Sequence, residues 1–452
     1  MTAQPDPAAL LRSKSYLALL VVAALLGIPV SAAAYGYLAL VSYLQKELFT
    51  RLPQGLGFGT EPLWWPLPVV LVGGVLAGLA IQYLPGRGGP SPAGGFKLHG
   101  APTAAQLPGI IFASLATLCF GLVLGPEMPL ILIGGGLAAV AVRMTRRTIP
   151  DQAMSVIAGA GSFAAIAALL GSPITGAFLL MEATGLGGPM LGLVLVPGLL
   201  AAGIGSLIFL GLDSLTGLGT FSLAIPGLPP FTRPDLAEFG WAVVIGIAAA
   251  LVGSGLKWLA RLVQSHAERR IMLVAPVAAL VVAGLAIAYG EGSGKPTSDV
   301  LFSGQSALGP LVTHAADYTA GAVVLLVACK CLAYGVSLGS FRGGPVFPSM
   351  FIGAAGGLAL SHLPGLPEVP GVAMGIGAMC AVMLTLPLTS VLLATLLLAS
   401  DGLAVMPLVI VAVVVAYVAS ARIAPPAAKP AAPTANPAAN PPANPPANPP
   451  AK

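Results

Sequence analysis

An acid set inside an apolar stretch is the sharpest chemical signal in this chain. Glu127 stands in Gly125-Pro126-Glu127-Met128-Pro129, after the apolar run Leu115–Leu124 and before Leu130–Ile133. Proline presets the first helical turn and lacks an N–H that a helix start leaves unpaired anyway, so Gly-Pro-x-x-Pro marks a helix beginning. The free amides and positive dipole end of such a helix form a seat for an anion. An ionised Glu127 would take that seat itself and vacate it when protonated or displaced. The plain alternative is an acid that only stabilises the helix start. Inside an apolar bundle an ionisable residue points to function, so gating is the stronger reading.

The same phrase is written twice. Gly125, Pro126, Pro129, Ile133 and Gly134 recur in register as Gly344, Pro345, Pro348, Ile352 and Gly353. The second copy, Gly344-Pro345-Val346-Phe347-Pro348, has no acid and follows Arg342-Gly343, whose glycines let backbone amides approach a ligand. A third break, Gly86-Arg87-Gly88-Gly89-Pro90, follows the apolar segment Leu63–Leu84. Three Gly-Pro helix starts, two with an adjacent Arg, suit a small anion better than a cation. Arg87 and Arg342 read equally well as side chains reaching to an interface. A further matching pair, Pro173-Ile174-Thr175 and Pro387-Leu388-Thr389, follows the first two breaks. Gly/Pro-interrupted apolar segments at corresponding places in two halves mark a repeat-built membrane transporter with its site at the breaks.

The elements that must position these breaks are membrane helices. Only 8% of residues are charged and 57% are hydrophobic, with a mean hydropathy of +0.94. The bilayer is the solvent, and roughly ten to eighteen helical segments are expected, several of them short or re-entrant. The net charge of +5 does not point to nucleic acid. Arg12/Lys14, Arg143/Arg146/Arg147 and Arg261/Arg269/Arg270 cluster between apolar runs, as cytoplasmic loops do, which predicts a cytoplasmic N-terminus and a multi-pass protein of the cell membrane. The run from Tyr16 to Gln45 is too long for a cleavable signal peptide and reads as the first helix. Cys119, Cys329, Cys331 and Cys380 read as small core residues, and His99, His266, His314 and His362 have no metal or catalytic spacing, so neither a metal, a cofactor nor an enzyme's site is expected. Five segments follow: an arm over 1–14, a helix plus first repeat over 15–212, a linker over 213–234, a second repeat over 235–422, and a Pro/Ala/Asn-rich tail over 423–452 whose composition cannot build a core.

From about Tyr16 to Arg422 the chain resembles the CLC chloride channels and chloride/proton antiporters. The family's successive signatures G-S-G-I-P, G-[RK]-E-G-P and G-x-F-x-P look like Gly86–Pro90, Gly125–Pro129 and Gly344–Pro348, with Ser337-Leu338-Gly339-Ser340 and Pro173-Ile174-Thr175-Gly176 as supporting context. The departures are specific. The anion-binding serine falls on Arg87. The basic residue of the second motif falls on Pro126 and its second glycine on Met128, while the gating glutamate falls on Glu127. Val346 holds the aromatic position, with Phe347 one step later. The inner tyrosine would lie just past Arg422, at Ala424-Pro425-Pro426, and the antiporters' internal proton glutamate falls on Ala183, beside Glu182.

The resemblance implies an all-α membrane protein of two inverted-topology repeats with broken helices, a homodimer with one anion pore in each subunit. It would move chloride or a similar small anion, with Glu127 as the gate. The lining would come from Gly86, Arg87, Gly88, Gly89 and Pro90, from Gly125, Pro126, Met128 and Pro129, and from Gly344, Pro345, Val346, Phe347 and Pro348. Glu182 would serve a proton route or a structural one. Open beside this reading stand a chloride/proton antiporter, a secondary transporter of fluoride or an organic acid on the same scaffold, and an intramembrane enzyme or scaffold protein.

Overall fold

The structure, a computed structural model, describes residues 11–96, 100–145, 150–185, 189–217, 231, 233–398 and 402–423. Among these, every extended regular element is helical. We number the helices α1 (Lys14–Lys46, running on through a π turn to Gly55), α2 (Pro66–Tyr83), α3 (Leu107–Cys119), α4 (Glu127–Thr145), α5 (Asp151–Leu169), α6 (Pro173–Thr184) and α7 (Pro189–Thr216). The second half continues with α8 (Leu236–Ser293), α9 (Gln305–Thr313), α10 (Ala320–Ser340), α11 (Val346–Ser361), α12 (Glu368–Leu384), α13 (Pro387–Leu397) and α14 (Gly402–Ile423). Seven of the described helices are long and apolar enough to cross a membrane, and the others that flank the breaks are short. The chain is a multi-pass membrane protein. The segment read as a linker begins inside α7, which stays helical to Thr216; most of its remainder, the arm before Leu11 and the tail after Ile423 lie outside the described residues.

The order of elements repeats. In the first half α3 ends, the chain breaks at Gly125-Pro126, and α4 to α7 follow; in the second half α10 ends, the chain breaks at Gly344-Pro345, and α11 to α14 follow. The packing repeats with it. A Cβ at Gly134 of α4 would lie 2.5 Å from the Gly161 carbonyl of α5, and a Cβ at the corresponding Gly353 of α11 would collide with the Gly375 carbonyl of α12. Missing side chains let the backbones of each pair touch, which is how helices associate where lipid removes the hydrophobic drive.

Direction through the bilayer follows from the connections. α1 starts at Lys14, and α2 begins after a turn at the other end and returns, so Gly86–Pro90 lies at the Lys14 end. Gly86 and Arg87 line one cavity with Gln264, Glu268 and Ile271, which places the kink of α8 at Arg270 at that same end. The opposite end holds Leu63 against Gly290 and the Thr297 hydroxyl on Glu61 Oε1 at 3.0 Å.

Candidate anion-binding site

The two Gly-Pro breaks meet. Gly125 N–H donates to the Gly344 carbonyl at 2.8 Å and Gly344 N–H to the Gly125 carbonyl at 2.6 Å, an isolated antiparallel bridge that joins the halves deep in the fold. Each break then starts a helix in the same way: Leu130 N–H returns to the Pro126 carbonyl at 3.0 Å and Ser349 N–H to the Pro345 carbonyl at 3.3 Å. Pro129 and Pro348 sit buried in the first turns, where a missing N–H leaves no gap in the helix ladder.

Glu127 lies across this bridge. Its side chain is fully buried, and Oε1 accepts the Phe347 N–H at 2.6 Å. The amides of Val346 and of Glu127 itself also bear on its charge. Oε2 has no hydrogen-bond partner. A Cβ on Gly125 or Gly344 would collide with the carboxylate, so both glycines are cut to fit it. An ionised carboxylate deprived of water needs charge-assisted partners, and the start of α11 supplies them. The acid from one repeat therefore occupies the helix start of the other. Any anion that displaced it would meet the same amides.

Around this pair the sequence-predicted residues divide. Gly125, Pro126, Glu127, Met128, Gly344, Pro345, Val346 and Phe347 come together at the bridge. The Gly86–Pro90 segment is not a third helix start. Gly86, Arg87, Gly88 and Gly89 all have positive φ (78°, 49°, 73° and 90°), and only a one-turn 3-10 element, Pro92–Gly94, follows Pro90. The glycines let the loop press against its neighbours: a Cβ at Gly88 would lie 2.9 Å from Arg342 Cγ, and one at Gly89 3.1 Å from Leu132 of α4. Arg342 Nε donates to the Arg87 carbonyl at 3.2 Å, tying this loop to the second break.

Cavities approach the bridge from both ends. At the Lys14 end, Arg87 and Arg342 line a cavity of about 720 Å³. Beside it, Lys257, Arg261 and Pro345 line another of about 380 Å³, and Gln264 belongs to both. At the opposite end, Pro126 lines a cavity of about 230 Å³ with Ser42, Gln45, Ser303, Gln305 and Ser306. One mouth is rich in cations and the other is polar but uncharged.

Sequence reading named Ser337 but missed Lys330 and Tyr334, which complete a polar stripe on α10. Lys330 is fully buried and donates to the Asp299 and Leu301 carbonyls at 2.8 and 2.9 Å, with its ammonium 4.4 Å from the Phe351 ring centroid. One turn on, the buried Tyr334 hydroxyl donates to the Pro345 carbonyl at 2.9 Å and lies 3.1 Å from Ser349 Oγ. Ser337 Oγ then accepts the Val123 N–H at 3.2 Å. The stripe thus pins the approach to both breaks. Its i, i+4, i+7 spacing in an apolar helix was a legible signal.

Glu182 stands elsewhere. Oε1 accepts the Leu388 N–H at 3.0 Å, and Oε2 accepts the Thr389 N–H at 2.8 Å and the Thr389 hydroxyl at 2.6 Å. It caps the start of α13 from α6, a second bond between the halves. The position past Arg422 where the resemblance puts a tyrosine lies outside the described residues.

A membrane bundle with two broken helices paired around an acid is a class of transport protein, and the comparisons agree. Residues 73–421 match the voltage gated chloride channel family. The chain is 31% identical over 365 residues to YfeO of Salmonella choleraesuis (strain SC-B67), named as an ion-transport protein, across 79% of this chain and 84% of that one. It is 32% identical over 367 residues to YfeO of Escherichia coli O1:K1 / APEC, across 79% and 82%. The fold is similar to that of a slow cyanobacterial Cl−/H+ antiporter (TM-score 0.74, 17% identity, 90% of this chain and 94% of that one). It is also similar to that of a CLC-type fluoride/proton antiporter (TM-score 0.62, 19% identity, 89% and 95%). The chain belongs to the CLC voltage-gated chloride channel family, whose members transport anions across membranes.

Proposed function

We propose that this protein moves chloride or a similar small inorganic anion across the cell membrane through one glutamate-gated pathway in each subunit of a homodimer, and is not an enzyme. One observation carries the reading: the buried Glu127 carboxylate sits on the α11 start, bonded through Oε1 to Phe347 N–H and unpartnered at Oε2. Ionised, it fills the anion's seat. Protonated, it gives up the charge that holds it against the helix start, and an anion takes its place. The cationic mouth raises the local anion concentration, and its arginines and lysine support a cytoplasmic Lys14 end under the positive-inside rule.

Coupling to protons is weak or absent in this reading. Ala183 has no proton to carry, and the Glu182 carboxylate is engaged by the start of α13. The deciding experiment records chloride and proton fluxes together from proteoliposomes holding the purified protein. Chloride efflux above that of protein-free vesicles, with no stoichiometric proton movement, is expected. No anion flux would refute the function. Uphill proton movement driven by a chloride gradient would make the protein an antiporter.

A further inference from the structure

The cavity at the Lys14 end is built for more than a monatomic ion. Arg87 and Arg342 both line it, and among the described residues neither guanidinium forms an ion pair. Arg87 and Glu268 are the charged groups that bear on Arg342. Among the described residues the Arg87 side chain makes no hydrogen bond, and its backbone is held in the left-handed region (φ 49°, ψ 34°), where a residue with a Cβ is strained. Such strain persists where surrounding structure enforces it, and it clusters at functional sites. Ser91 Oγ, buried and without a hydrogen-bond partner, lines the same space. Gln264, whose amide donates to Glu268 Oε1 at 2.8 Å, and Gln106 complete the polar wall.

We propose that this cavity binds a singly charged carboxylate, separately from the Glu127 seat, so that the protein's anion includes small organic acids as well as halide. The Arg87 guanidinium presents a planar fork that matches the two oxygens of a carboxylate. Arg342, held in place by Nε on the Arg87 carbonyl and Nη1 on the Phe341 carbonyl, adds the second positive charge beside it. A spherical ion makes no use of such a fork. The space of about 720 Å³ exceeds what a bare ion fills and leaves room for an organic substituent. Two arginines against one glutamate leave a balance of one positive charge, which a monoanion neutralises and a dianion would overcompensate. The proposal rests on the transport reading only for the claim that the bound anion is cargo; the binding itself stands on the cavity.

Calorimetric titration of the purified full chain with lactate, in chloride-free buffer, tests it, with lactamide as the neutral control. Lactate is expected to bind at least about tenfold more tightly than chloride, and lactamide not at all. Arg87→Gln should weaken lactate by about tenfold or more, as loss of one charge-assisted pair requires. Arg87→Lys should weaken it less, and chloride should lose distinctly less affinity than lactate in Arg87→Gln, because a spherical ion makes no use of the fork. An unchanged melting temperature of the ligand-free Arg87→Gln protein would separate lost binding from lost folding. Equal lactate affinity in the wild type and Arg87→Gln, or an equal loss for chloride and lactate, would overturn the proposal. Lactate binding in a protein that carries no chloride would instead refute the transport reading and leave the site standing.

Discussion

A carboxylate with one oxygen bonded and the other bare is poised between two states. Glu127 Oε1 is held by a short bond to Phe347 N–H, while Oε2 lies against the two glycines of the bridge without a hydrogen-bond partner among the described residues. That asymmetry distinguishes it from Glu182, whose two oxygens accept three donors from the start of α13. A carboxylate so engaged stabilises; one half engaged can leave. Glu182→Gln keeps one acceptor and removes the charge, so we expect a loss of about 1–2 kcal/mol in the stability of the folded or assembled protein. Thermal unfolding and light scattering would read it, with anion flux per folded protein unchanged. A specific loss of proton movement without loss of stability would instead make Glu182 a proton carrier.

At the scale of elements, the glycines of the breaks are what let two helix starts and a carboxylate share one place. Gly344→Ala would put a methyl group where Glu127 Oε2 now lies. If the protein still folds, we expect Glu127 to be held out of its seat and anion efflux to lose its dependence on pH; a wild-type profile in a folded Gly344→Ala protein would contradict this. The breaks themselves were legible in the sequence, because Gly-Pro and the spaced second proline encode a helix start locally. The duplication put the site at the breaks, and α4 and α11 begin where the prolines put them; that the two breaks bond to each other is a finding of the structure. The Gly86–Pro90 loop was misread as a third start for the same reason. Its Gly-Pro resembles the others, but four successive positive φ values turn the chain instead. What holds the breaks in place was least legible. Tyr334 and Lys330 grip carbonyls near in space, and a donor on one element reveals nothing about which distant carbonyl it will meet.

At the scale of the molecule, two halves joined at Gly125–Gly344 and at Glu182–Thr389 divide the bilayer between a cationic mouth and an uncharged one. In the proposed pathway anions gather at the first mouth and reach the second past Glu127, which lies at the bridge between Pro345 and Pro126. In that proposal transport as a whole follows the state of one side chain. The most direct test is chloride efflux from proteoliposomes across about pH 4 to 8 for the wild type and Glu127→Gln, a span that runs from the ordinary glutamate range to the values that buried glutamates reach. The sign follows from the geometry: protons remove the charge that competes with the anion, so wild-type efflux should rise as pH falls. Glu127→Gln, permanently uncharged, should be fast and flat throughout. A Glu127→Gln protein that keeps the wild-type pH profile would contradict the account and leave Glu127 a helix cap, with the gate elsewhere.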